Sequence, residues 1–223
     1  MCVEKHMKNI IQRAYLHLKQ LSVLAVIPFI FINAVLPVVC VCICISYYET
    51  DQSLAIQKIG ENMMLFIPLF SPWLSIFTAK EYLEGEGNEL LFIKQKYKYA
   101  DLLLPFLLFF VDSLVIVSVI SSVFPSLRLL SVWILIVCVF MFNFSYLIMF
   151  AFSSVTAAIM VHLLYFVANL SLSAKVNIFP IYFSSLGYDF SSEFKLVYLP
   201  MIIATIICFI SGSVCNMEKS KYQ

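Results

Sequence analysis

Nucleophiles, metal ligands and phosphate binders leave recognisable spacings, and this chain of 223 residues carries few of them. No G-x-x-x-x-G-K-[S/T] segment occurs, so no glycine-rich loop backed by a lysine cradles nucleotide phosphates. H-E-x-x-H and G-x-S-x-G are also absent, which removes the commonest zinc-peptidase and serine-hydrolase patterns. Cys40, Cys42 and Cys44 crowd together without a histidine among them. Residues two apart on a helix face different directions, so they make a poor ligand set. Cys2, Cys138, Cys208 and Cys215 are scattered, and a buried cysteine behaves as a small apolar residue. The expectation is a chain that is not an enzyme and binds no metal or cofactor of its own.

The richest polar stretch is AKEYLEGEGNELLFIKQKYKYAD, Ala79 to Asp101. Its acids come first (Glu81, Glu84, Glu86, Glu89) and its bases second (Lys94, Lys96, Lys98), with Gly85 and Gly87 weakening any helix between them. Segregated charge of this kind can steer and orient a protein partner. A solvated loop whose lysines merely fix membrane orientation is the plainer reading. Three more polar residues stand isolated in apolar sequence: Asp112, Asn143 and His162. An ionised carboxylate at that depth costs about 2.5–3.5 kcal/mol on insertion scales. Asp112 is therefore expected to face protein or water, either lining a transport path or bonded, protonated, to Asn143 or His162.

The elements that hold these residues follow from composition. The chain is 62% hydrophobic and only 12% charged, with a mean hydropathy of +0.97, against about 25% charged in soluble domains. That is a membrane protein, and a net charge of +1 disfavours a nucleic-acid partner. About 20 apolar residues cross a bilayer, and the charge-poor runs give six spans, about 21–46, 62–79, 102–123, 129–152, 156–170 and 196–215. The fourth and fifth come from one run too long for a single crossing, divided at the small-polar turn Phe152 to Thr156. With the N-terminus inside, Lys5, Lys8, Arg13, Lys19, Lys80, Lys94, Lys96, Lys98, Lys219 and Lys221 are cytoplasmic. Lys58, Arg128, Lys175 and Lys195 are left outside. The bias predicts cytoplasmic N- and C-termini. Residues 3–20 carry apolar Met7, Ile10, Ile11, Ala14, Tyr15 and Leu18 at helical spacing opposite Lys5, Lys8, Arg13 and Lys19. They read as an amphipathic helix in the membrane interface. The fold class is thus all-α, a single transmembrane domain over 1–223.

The acidic-plus-glycine segment, followed by Glu-Leu-Leu and a basic stretch entering the third of six spans, resembles the membrane subunit of a type-2 ABC exporter. That family carries E-x-x-x-G-x-x-E-x-L-L after its second span, and this chain offers Glu81, Glu84, Gly87, Glu89, Leu90 and Leu91. Gly87 and Glu89 are separated by one residue where many members have two. The interfacial helix, the small-polar turn between spans four and five, and an outer segment over 171–195 recur in the same order. Pro180 and Gly187 would permit the breaks of re-entrant helices in that outer segment.

The resemblance implies a permease that borrows ATP hydrolysis from a separate cytoplasmic ATP-binding cassette subunit, where ATP and Mg would be held. It implies a second permease chain, identical or related. It also implies a coupling loop, 79–99, in which Glu81, Glu84, Glu86, Glu89, Leu90 and Leu91 dock on the ATPase. Asp112, Asn143 and His162 are the candidates for the translocation path. The expected cargo is hydrophobic or amphipathic: a peptide or bacteriocin, a lipid-linked molecule or a drug, moved out across a bacterial cell membrane. The alternative is an ATP-independent membrane protein such as a small secondary carrier or a substrate-capturing subunit.

Overall fold

Inside hydrocarbon, a backbone must satisfy its own hydrogen bonds, and a chain this apolar has helices as its simplest means. The computed structural model describes residues 26–47, 52–84, 98–172 and 198–222, and these are helical with no strand among them. The expected interfacial helix 3–20 lies outside the described residues, as do most of the coupling loop and nearly all of the outer segment. Helix α1 is Ile27–Tyr47, α2 is Gln52–Phe70 and α3 is Trp73–Leu83. Helix α4 is Lys98–Val123, α5 Arg128–Phe152, α6 Val155–Leu172 and α7 Leu199–Tyr222.

Among the described residues, five helical stretches are long and apolar enough to cross a membrane: Ile27–Tyr47, Gln52–Lys80, Lys98–Val123, Pro125–Phe152 and Leu199–Met217. The apolar stretch of α6, Val155–Ala168, is shorter than these. The second stretch begins ten residues ahead of the expected 62–79. Its extra turns hold Lys58 and Glu61, which pair at 2.8 Å one turn apart. Charge stopped the reading of an apolar run there, but it does not stop a helix. At Ser71 and Pro72 the stretch breaks, because proline has no N–H to offer the preceding turn. The Ser71 hydroxyl fills in, donating to Pro68 O at 3.0 Å and Cys138 O at 3.4 Å.

Helix α5 forms the centre. Trp133, Ile134, Val137, Met141, Met149 and Phe150 on it are fully buried, and it packs against α2, α3, α4, α6 and α7. Its most extensive packing is with α7. The two run parallel, since Trp133 meets Tyr198 with ring centroids 5.0 Å apart and Tyr146 meets Asn216 further along. Gly212 permits that approach: a Cβ there would lie 2.6 Å from the Tyr146 ring and 3.1 Å from Leu147 Cα. Helix α6 runs antiparallel to α5, with Tyr165 against Phe140 and Phe144 and His162 against Ser145. Hydroxyls on these helices bond back to their own carbonyls four residues earlier, as Thr78, Ser113, Ser131 and Thr205 do at 2.8–2.9 Å. That hides polar side chains from an apolar surround.

Candidate functional site

Three polar groups in the described bundle hold the expected site residues and their partners. The first is on its outer flank. Asn33 sits on the π-helical turn Phe31–Val35 of α1, a kind of turn often found at functional sites. Its amide donates to Asp112 Oδ2 on α4 at 2.7 Å and to Phe29 O at 3.0 Å. One turn earlier on both helices, Phe29 and Phe109 meet edge to face at 6.0 Å, which sets the helices' register. Asn33 is exposed and Asp112 half-buried. Around them stand exposed Ile30, Val35, Val111 and Val115.

The second place is the break between α2 and α3. His162 is buried, its Nε2 3.1 Å from Leu69 O and its Nδ1 3.5 Å from Ser145 Oγ. A neutral imidazole with its proton on Nε2 fits both, donating to the carbonyl and accepting from the hydroxyl. Leu69 lies in the last turn of α2, where carbonyls run out of helical donors. His162 thus ties α6 to the kink.

The third place is one end of the bundle, where α3 finishes, α4 starts and α5 turns into α6. Lys98, buried at the head of α4, donates to Asn216 Oδ1 on α7 at 3.3 Å, and Asn216 donates to the Tyr146 hydroxyl at 3.3 Å. Tyr99 donates to Asn143 Oδ1 at 3.3 Å while its ring meets those of Tyr146 and Phe209 at 5.0 and 4.8 Å. At the same end the chain reverses through Ser153 and Ser154. Ser153 takes a left-handed conformation, φ 54°, and the Ser154 hydroxyl accepts the Ala157 N–H at 3.3 Å as an N-cap. The first amide of α6, that of Val155, donates to Glu84 Oε1 at 2.8 Å, and the Ser154 hydroxyl donates to the same oxygen at 3.4 Å.

The expected site residues therefore separate. None of Asp112, Asn143 and His162 bonds to another. Asp112 pairs with Asn33 rather than with Asn143 or His162, because α1 lies along its side of α4 while the other two face different neighbours. Of the expected docking residues, Glu84 is described and bonded within the chain, and Glu81 lies on α3. Glu86, Glu89, Leu90 and Leu91 lie outside the described residues. Asn33 escaped notice, yet it is the one carboxamide in the first apolar run, between Pro28 and Pro37. Lys98, Tyr99, Tyr146 and Asn216 come together only through packing, and no sequence signal joins them. Among the described residues no group of three His, Cys, Asp or Glu could hold a metal ion.

These features define a class, a multi-pass α-helical membrane protein. The chain matches no protein-family model, no curated protein and no solved structure.

Proposed function

We propose that this chain is the permease subunit of an ATP-driven exporter, working beside a second permease chain and driven by a separate cytoplasmic ATPase that holds ATP and Mg. The observation that carries the reading is the hydrogen bond that the Val155 amide donates to Glu84. It joins the start of the expected docking segment to the turn at the head of α6. A partner that pushes on residues 79–99 would then move α6 as well as α3, which is the coupling an ATPase subunit needs. Lys98 and Asn216 bring α4 and α7 to the same end, so four helices would feel that push.

The topology supports the same reading. Helix α6 runs antiparallel to α5 and α7 parallel to it, which suits a chain in which α6 is a short fifth crossing and the spans number six. The lysine and arginine distribution then makes the Glu84 end cytoplasmic, together with both termini and the interfacial helix 3–20. The exposed apolar sides of α1 and α4 suit a hydrophobic or amphipathic cargo leaving a bacterial cell membrane. A peptide or bacteriocin is the narrower choice.

The test is purification from the native membrane in mild detergent, with co-purifying proteins identified and ATP hydrolysis measured. An ATPase chain should accompany the wild type and be lost on reversing Glu86 and Glu89 to Lys. Glu84 is left unaltered because its loss would disturb α6 directly. A chain that arrives with no nucleotide-hydrolysing partner overturns the reading and puts the secondary carrier in its place.

A further inference from the structure

The Asn33–Asp112 pair has a chemistry that the proposed function leaves unused. Asparagine has two amide hydrogens, and both are spent, one on Phe29 O and one on Asp112 Oδ2. What remains is oxygen, on an exposed and a half-buried residue: Asn33 Oδ1 and the second Asp112 oxygen, neither with a hydrogen-bond partner among the described residues. With Asp112 ionised the pair is acceptor-only. It lies near the middle of α4, with exposed valines and isoleucine on either side. Acyl chains offer no donor, and a polar group left unmatched in hydrocarbon is costly.

Three occupants can be weighed. A second copy related by a two-fold axis would bring acceptors onto acceptors and carboxylate toward carboxylate, which repel. A hard inorganic cation wants about six oxygen ligands, and this face offers only a few. An organic ammonium or guanidinium supplies N–H donors and opposite charge together, and its apolar remainder can lie along the valine and isoleucine side chains. We propose that Asn33 and Asp112 form a recognition site for the cationic head of an amphipathic organic molecule reaching the α1–α4 face from within the bilayer. The inference rests on the exporter reading only in calling that molecule cargo.

The full-length chain in nanodiscs of uncharged lipid is titrated with dansylcadaverine, a fluorescent primary amine, and with its N-acetylated, uncharged form. Empty discs serve as the blank, and binding is read by fluorescence anisotropy. The amine should bind about tenfold more tightly than the acetylated probe, the scale of a charge-assisted hydrogen bond. Asp112→Asn keeps an oxygen for the Asn33 amide and should erase that preference. Asn33→Leu should weaken it by freeing the carboxylate to turn. Equal affinity of the wild type for both probes overturns the site and needs no variant. So does a preference that survives Asp112→Asn. A chain that prefers the amine yet has no ATPase partner keeps the site and loses the exporter. An ATPase partner without the preference does the reverse.

Discussion

At Glu84 one carboxylate oxygen receives the first amide of α6 and the Ser154 hydroxyl. A negative charge at a helix N-terminus also meets the positive end of the helix dipole. Removing it by Glu84→Ala should lower stability by about 1 kcal/mol, the usual loss for a helix cap. Glu84→Gln, which keeps the oxygen, should lose about half as much. Thermal unfolding of the purified chain in detergent reads both. If Glu84→Ala melts with the wild type, the clasp contributes nothing. His162 makes a similar argument from inside the bundle. His162→Leu leaves the Leu69 carbonyl and the Ser145 hydroxyl without the imidazole, which costs about 1–2 kcal/mol among membrane helices. His162→Gln, still able to donate, should recover part of the loss, whereas a residue that only filled space would be replaced equally well by leucine.

Between α5 and α7 the fit depends on the absence of a side chain. Gly212→Leu would drive carbon into the Tyr146 ring and the Leu147 backbone. It should cost about 1–3 kcal/mol by overpacking, and the Asn216–Tyr146 bond should go with it. Loss of thermal stability without aggregation at room temperature is the expected readout, and an unchanged melting curve would mean the helices stand further apart. The turn into α6 gives the opposite sign. Ser153 sits where glycine is at ease, so Ser153→Gly should leave stability unchanged or raise it by about 0.5–1 kcal/mol, while Ser153→Val should lower it by about 1–2 kcal/mol. These elements differ in how far they could be read from sequence. The small-polar turn was visible because two serines interrupt an apolar run. The start of α2 was not, since Lys58 and Glu61 neutralise each other one turn apart and allow a helix to pass through charge. The partner of Asp112 was hidden for another reason. Asn33 is 79 positions away, and only the packing of α1 on α4 brings them together.

For the whole molecule, the directions of the helices divide the surface into two ends. One holds Glu84, Lys98, Ser153 and Asn216, with Lys98 bonded to Asn216 and Glu84 bonded to Ser154 and Val155. The other holds Gln52, the 3₁₀ turn Pro125–Leu127 and Tyr198. Between them α4 and α5 are each long enough to span a bilayer of about 30 Å. Cysteines placed singly at exposed Ser126 and exposed Ser153, in a background cleared of reactive native thiols, should therefore react with a membrane-impermeant maleimide from opposite sides. Gln52→Cys should behave as Ser126→Cys does. Under the exporter reading, Ser153→Cys is the one protected in intact cells and labelled in inside-out vesicles. Labelling of Ser126→Cys and Ser153→Cys from the same side would mean that α5 does not cross. The reverse sidedness would place the Glu84 end outside the cell, where no ATPase could reach it. The bundle would stand in that case, and the proposed coupling through Glu84 and α6 would fall.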